Sequence, residues 1–181
     1  MQTSSVLIKE VRDQDDLAAV VDLCNGFLSW ARDRYGEKSW IVDRYYDPEK
    51  WGIILSSLSQ THAPPHGEML LARLDGRPVG CVMMQRIDDE TCEMKRMFVM
   101  SEAQGHKIGR SLCERIMSVG AERGYRRMRL DTGVNHDEAL ALYRAVGFRV
   151  IGPYYEPPDD IRNHLVFMKL SCDRNPIGGG R

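Results

Sequence analysis

The chain has 181 residues, of which 43% are hydrophobic and 28% charged, and its formal net charge at pH 7 is −1. The composition is typical of a globular protein, and the length predicts one domain over residues 4–172 followed by a disordered tail at 173–181. The charge argues against a nucleic-acid-binding protein, no apolar run reaches the ~20 residues of a membrane span, and the N-terminus lacks an apolar signal core, so we expect a cytoplasmic location.

The cysteines and histidines indicate neither disulfides nor a metal site. The five cysteines are scattered without a CxxC pair, which predicts reduced and mostly buried thiols. His136 and His164 have no neighbouring ligands in sequence, so we expect no bound metal.

The first third of the chain predicts one strand followed by two helices. Residues 6–11 alternate apolar and polar side chains, as a strand does. Asp13 opens a helix whose apolar stripe continues to Tyr35–Gly36, and Asp47-Pro48 opens a second helix that continues to Leu58. The aromatic segment 37–46 between them is predicted to be irregular. It either packs between the two helices or forms a wall of a substrate pocket.

The rest of the chain predicts an α/β domain with a mixed sheet. Three antiparallel strands are expected first, and they lie at 68–74, 79–87 and 92–99. A helix from Ile108, a strand at 126–130 and a helix ending before Gly147 come next. Asn135 or Asp137 is expected to cap the second of these helices. Strands at 148–151 and 165–170 complete the sheet, and the strand at 126–130 is expected to run parallel to the one at 92–99.

The segment QGHKIGR (104–110) joins the third antiparallel strand to the next helix. Glycines at a helix start let a ligand approach the backbone, and the free N–H groups there suit a phosphate. Lys107 and Arg110 would add cationic donors. The alternative is that Gly105 and Gly109 serve only the turn.

Three segments together resemble the GNAT superfamily of acetyl-CoA-dependent N-acetyltransferases. They are EMKRMFV with QGHKIGRSL, then LDTGVNHDEALALYRAVGFRV, and finally HLVFMKL. The first is similar to the family's strand and its Q/R-x-x-G-x-G/A pyrophosphate loop, except that Lys107 replaces the first glycine. The resemblance implies a mixed, mostly antiparallel sheet of six to seven strands, flanked by about four helices, with one parallel pair splayed apart.

The resemblance also implies acetyl-CoA as co-substrate and a set of residues that bind it. Loop amides would hold the pyrophosphate, the pantetheine arm would pair with the strand near Met97 and Val99, and the Met97 N–H would polarise the acetyl carbonyl. The full set is Met97, Phe98, Val99, Gln104, Gly105, His106, Lys107, Ile108, Gly109, Arg110, Asn135 and Tyr143. Asn135 is one residue out of the family's usual spacing, and helix capping is its alternative role.

Two residues are the candidate catalysts. Glu93 matches a catalytic glutamate in one branch of the family and is the candidate general base, with a salt bridge to Lys95 as its alternative role. Tyr143 matches the tyrosine of the family's L-Y motif and is the candidate general acid toward the coenzyme sulfur. Its alternative role is a core aromatic residue.

The resemblance implies an N-acetyltransferase acting on the primary amine of a small molecule by direct attack in a ternary complex. Two alternatives stay open: a protein or peptide acetyltransferase, and a non-catalytic module that binds an acyl-CoA. The expected partners are the small amine and, beyond a monomer, at most a second copy in a homodimer. No nucleic acid and no membrane partner is expected.

Overall fold

A seven-stranded mixed sheet forms the centre of the computed structural model, which describes residues 4–172. The strands are β1 (Val6–Glu10), β2 (Glu68–Leu74), β3 (Arg77–Arg86), β4 (Thr91–Val99), β5 (Arg127–Gly133), β6 (Arg149–Ile151) and β7 (Leu165–Ser171). Their order across the sheet is β1-β2-β3-β4-β5-β7-β6, and every neighbouring pair is antiparallel except β4 and β5. The predicted tail lies outside the described residues.

Six α-helices flank the sheet in this part of the chain. They are α1 (Gln14–Tyr35), α2 (Trp40–Tyr45), α3 (Pro48–Ser56), α4 (Leu58–Thr61), α5 (Ile108–Glu122) and α6 (Asp137–Ala145). Four of them have nine or more residues, which confirms the predicted α/β class with about four substantial helices. No helix within 4–172 is both long and apolar enough to cross a membrane.

Several helix boundaries follow directly from the local sequence. Asp13 caps α1 by accepting a hydrogen bond from the Asp16 N–H at 2.8 Å, and Asp47 caps α3 with Pro48 at its first position. Gly147 follows α6 with φ +107°, a conformation that favours glycine.

Three sequence predictions differ from the structure. The segment predicted to be irregular contains the short helix α2, held by the buried side chains of Ile41 and Val42. The second predicted helix is broken at Ser57 into α3 and α4. Neither Asn135 nor Asp137 caps α6, because its N-cap residue is His136 and no side-chain cap bond forms there.

The two faces of the sheet carry separate apolar cores. Helices α5 and α6 pack on one face, where Leu112, Ile116 and Tyr143 are buried against strand side chains such as Met94. Helices α1 to α4 cover the opposite face, with side chains such as Trp51 buried there. We call these the α5 face and the α1 face.

Strands β4 and β5 pair over only three residues of each strand. The parallel register runs from Thr91↔Arg127 to Glu93↔Arg129, although both strands continue well beyond it. Strand β4 also carries a bulge, where the register against β3 shifts between Cys81 and Met83 and Arg96 adopts φ +49°. The predicted splayed pair is therefore confirmed, and it opens a cleft in the middle of the sheet.

Candidate active site

A cavity of about 550 Å³ fills the cleft between β4 and β5, which is within the usual size of small-molecule sites. Its α5-face wall consists of the start of α5 together with Met97, Val99, Ala139, Leu142 and Tyr143. Its α1-face wall is mainly aromatic and apolar: Phe27, Trp30, Ile41, Val42, Tyr45, Tyr46, Ile54 and Phe98.

The backbone of β4 presents unpaired amides to this cavity. The Met100 N–H donates to the Val79 carbonyl at 2.8 Å, on the β3 side of the strand. Because successive N–H groups of an extended strand point in opposite directions, those of Met97 and Val99 point toward β5. Strand β5 does not pair with β4 there, so this edge is available to an extended ligand.

The loop before α5 has the backbone shape of an anion site. Gly105 has φ +88°, and Lys107, at the N-cap of the 15-residue α5, has φ +57°. A side chain added at Gly109 would place its Cβ 3.3 Å from the Met97 Cε, so glycine keeps the approach to β4 open. The first amides of α5 lack intrahelical partners, and the helix dipole favours negative charge at this end.

The structure separates the predicted coenzyme residues into two groups. Those that line the cavity are Met97, Phe98, Val99, Gln104, Gly105, Lys107, Ile108, Gly109 and Tyr143. Three others do not line it. His106 is exposed, the Arg110 Nε donates to the Glu114 carboxylate at 2.8 Å, and the exposed Asn135 accepts a hydrogen bond from Arg34 through its backbone carbonyl at 2.9 Å.

Tyr143 lies on the α5-face wall of the cavity. It is 5% exposed, and its ring meets Phe148 edge-on with centroids 5.8 Å apart. Burial raises the pKa of its phenol well above the usual value, so the hydroxyl keeps its proton at neutral pH. Tyr143 is therefore buried, as expected of a core aromatic residue, and it also lines the cavity, as expected of a general acid.

Glu93 lies in a buried hydrogen-bonded cluster. Its carboxylate accepts from the Gln85 amide at 2.8 Å, from the Lys95 ammonium at 3.1 Å and from the Tyr154 hydroxyl at 2.7 Å. The predicted salt bridge to Lys95 thus exists. Glu93 is not among the residues that line the cavity, and Lys95 stands between them.

Asp131 completes this cluster, and no pattern in the sequence pointed to its role. It accepts from the Lys95 ammonium at 3.1 Å, from the Tyr45 hydroxyl at 2.5 Å and from the Tyr155 hydroxyl at 3.0 Å. Burial opposes the charge on Lys95, but Asp131 and Glu93 more than compensate and raise its pKa. The cavity therefore has a hydrogen-bonded polar floor, which consists of Lys95, Tyr45 and Asp131.

No group of three or more His, Cys, Asp or Glu side chains within 4–172 is arranged to hold a metal ion. The donor set instead suits an organic anion with a long, narrow arm. Backbone amides and Lys107 lie at the start of α5. The open edge of β4 and apolar side chains, together with Tyr143, line the rest of this side of the cavity. These residues fit coenzyme A, because its pyrophosphate needs an anion site and its pantetheine arm needs a long, narrow channel.

Comparisons with known proteins agree with this geometry. A model of the acetyltransferase (GNAT) family matches residues 25–148. An uncharacterized N-acetyltransferase of Schizosaccharomyces pombe is 37% identical over 122 residues, which span 66% of this chain and 73% of that protein. An IAA acetyltransferase of Azospirillum brasilense is 43% identical over 97 residues, 52% of this chain and 63% of that protein. Among solved structures, the PaiA N-acetyltransferase from Thermoplasma acidophilum in complex with coenzyme A superposes with a TM-score of 0.66 at 20% identity, over 92% of this chain and 99% of that one.

Proposed function

The chain is an acyltransferase of the GNAT family, and from this premise we propose that it moves an acetyl group from acetyl-CoA to the primary amine of a small molecule. The observation that carries the proposal is the single cavity that joins the start of α5, the open edge of β4 and Tyr143. The amides of α5 bind the pyrophosphate, and the β4 edge at Val99 pairs with the pantetheine arm in the manner of an added strand, which leaves the Met97 N–H for the acetyl group.

The α1-face wall favours a small acceptor over a protein segment. Four aromatic side chains, Phe27, Trp30, Tyr45 and Tyr46, enclose the space beside the Lys95–Asp131 floor. Phe27 and Phe98 contact edge-on with ring centroids 5.7 Å apart, so the wall is packed. Such a wall selects a compact ligand by shape, whereas a peptide substrate needs an open groove.

Acetyl-CoA supplies the activated acetyl group and a sulfur leaving group, and the residues of this chain manage charge and protons. The amine attacks with both substrates bound, and the Met97 N–H donates a hydrogen bond to the acetyl oxygen as negative charge grows there. The Tyr143 hydroxyl, which burial keeps protonated, donates its proton to the departing sulfur, and after product release Tyr143 regains a proton and Glu93 loses one through solvent.

Glu93 is the proposed base, acting through Lys95. The Lys95 ammonium donates to the Glu93 carboxylate and also lines the cavity. Lys95 first gives a proton to Glu93, and the neutral Lys95 amine so formed then accepts a proton from the attacking amine, so Lys95 ends with its original charge. The route explains how a carboxylate behind the cavity wall serves as base.

Release of free thiol from acetyl-CoA tests the proposal with a panel of small amines, polyamines and peptides. We expect turnover with small amines, and in Tyr143→Phe a kcat at least about tenfold lower with a nearly unchanged KM for acetyl-CoA, since positioned acids contribute about 10²–10⁴-fold. Preference for peptides would replace the small acceptor with a protein. Coenzyme binding without any thiol release would leave only a binding module, and equal kcat in Tyr143→Phe would remove Tyr143 from the mechanism.

A further inference from the structure

Arg96 owes its position to the bulge in β4. Strict alternation would place its side chain on the α5 face with Met94, but the bulge adds one residue opposite Val82. Met97 packs on the α5 face instead, and Arg96 contacts His62 and Trp51 on the α1 face. The bulge therefore directs a guanidinium to the acceptor side of the cavity, which Arg96 lines.

The neighbours of Arg96 hold its guanidinium without neutralising it. Its Nη1 lies 3.2 Å from the His62 Nε2, and its Cζ lies 6.0 Å from the centroid of the Trp51 ring. The His62 Nδ1 lies 3.1 Å from the Met84 carbonyl oxygen, so Nδ1 carries the proton and Nε2 accepts from Arg96. Burial lowers the pKa of His62 to about 4, which keeps that ring neutral.

Arg96 differs in this respect from Lys95 and Arg34, two other cations that line the cavity. Lys95 is paired with Glu93 and Asp131, each at 3.1 Å, and Arg34 is paired with Glu138 at 2.9 Å. Within 4–172 no carboxylate lies within 4.0 Å of the Arg96 guanidinium, and its buried Nε has no hydrogen-bond partner. A partly buried guanidinium in this state is costly unless an anion joins it.

We propose that Arg96 binds a carboxylate of the acceptor, so that the substrate is a small amine that also carries a carboxyl group and has an apolar or aromatic side chain. A carboxylate matches the planar fork of the guanidinium. The aromatic wall formed by Phe27, Trp30 and Tyr46 accounts for the apolar part. The coenzyme pyrophosphate lies elsewhere, because the amides that would hold it are at the start of α5.

This inference rests on the proposed function, since it assumes that the acceptor occupies the α1-face half of the cavity. The first test measures kcat/KM for phenylalanine and leucine, each beside its primary amide and its decarboxylated amine. We expect each acid to be preferred by about tenfold or more, as for other hydrogen bonds to charged groups. Arg96→Gln should abolish this preference without changing the KM for acetyl-CoA, and Arg96→Lys should keep part of it.

Arg44→Gln is the matched control, because Arg44 is a surface residue of α2 whose partner is Asp160 at 3.0 Å. It should keep the native preference for the acids. Equal use of acids, amides and amines by the native protein would overturn the inference while leaving the acetyltransferase intact. A raised KM for acetyl-CoA in Arg96→Gln would also overturn it, because Arg96 would then bind a coenzyme phosphate.

The second test does not depend on turnover. Phenylacetate is titrated into the coenzyme-A-loaded protein while tryptophan fluorescence is recorded, with thermal unfolding as the check that each variant is folded. We expect saturable binding to the native protein and to Arg44→Gln, and at least about tenfold weaker binding to Arg96→Gln. Such a result without any amine turnover would refute the proposed function and keep the carboxylate site. Equal binding by the native protein and Arg96→Gln, or no binding, would refute the site.

Discussion

At the scale of single residues, Lys107 is the clearest departure from the motif that it occupies. The sequence placed a lysine where the family pattern has glycine, and the structure shows that the position is left-handed, with φ +57°. A residue with a Cβ pays roughly 1–2 kcal/mol for that conformation. Because Lys107 is exposed and lines the cavity beside the start of α5, its charge provides a reason to keep it there.

Replacing Lys107 separates the effect of its strained backbone on stability from the effect of its charge on coenzyme A binding. We expect Lys107→Gly to raise the free energy of unfolding by about 1 kcal/mol, because the strain is relieved, and to weaken coenzyme A binding at low salt. Lys107→Ala is the control, because it removes the charge and keeps the strain. It should weaken binding equally without added stability. Urea denaturation and calorimetry measure the two quantities, and unchanged affinity in both variants would show that Lys107 does not contact the phosphates.

Arg96 shows the limit of sequence reasoning at the residue scale. Its φ of +49° occurs in the sequence KRM, where no glycine marks an unusual backbone. The bulge depends on the register between β3 and β4, which is a property of two strands. The alternation of side chains along a regular strand would therefore assign the Arg96 side chain to the wrong face of the sheet.

At the scale of elements, the cluster around Glu93 and Asp131 joins parts of the chain that are far apart in sequence. Tyr45 comes from α2, Tyr154 and Tyr155 come from the β6–β7 connection, and the two carboxylates come from β4 and β5. The sequence predicted the Glu93–Lys95 pair because both residues lie on one strand face. The tyrosines could not be predicted, because long-range packing brings them there.

Replacing Glu93 tests whether this cluster moves a proton. In Glu93→Gln we expect kcat at pH 7 to fall by about 10²-fold, because the base is lost. The difference in kcat between Glu93→Gln and the native protein should become smaller as the pH approaches the alkylamine pKa near 10, because the acceptor amine needs no base there. Glu114→Gln, at the exposed ion pair with Arg110, is the control and should behave as the native protein does. A deficit that is constant with pH, or no deficit, would make Glu93 a structural residue.

The helices show why some elements are harder to predict than others. Helix α1 has 22 residues, a capping aspartate and a continuous apolar stripe, so its start and end were both predicted. Helix α2 has six residues, too few to display a helical period or to be stable alone. Tertiary burial of Ile41 and Val42 forms it, and the same packing sets Tyr45 and Tyr46 on the cavity wall.

At the scale of the whole molecule, one apolar core lies on each face of the sheet, and residues of both cores line the cleft between β4 and β5. The seven strands in chain order and the antiparallel run β2 to β4 were predicted, because turns and periodicity are local signals, and the parallel pair followed from the right-handed crossover. The extent of the opening was expected only through the family resemblance. In the structure it follows from a β4–β5 pairing that stops at Glu93, with α5 on one face and α1 on the other.

The seating of coenzyme A in that cleft is the claim on which the remaining assignments depend. Amide hydrogen exchange with and without coenzyme A, at saturation verified by calorimetry, measures it residue by residue. We predict slowed exchange at the Met97 and Val99 amides and over residues 107–110, with no comparable change in β1 or β2. Absence of binding heat, or protection confined to other parts of the chain, would contradict the account.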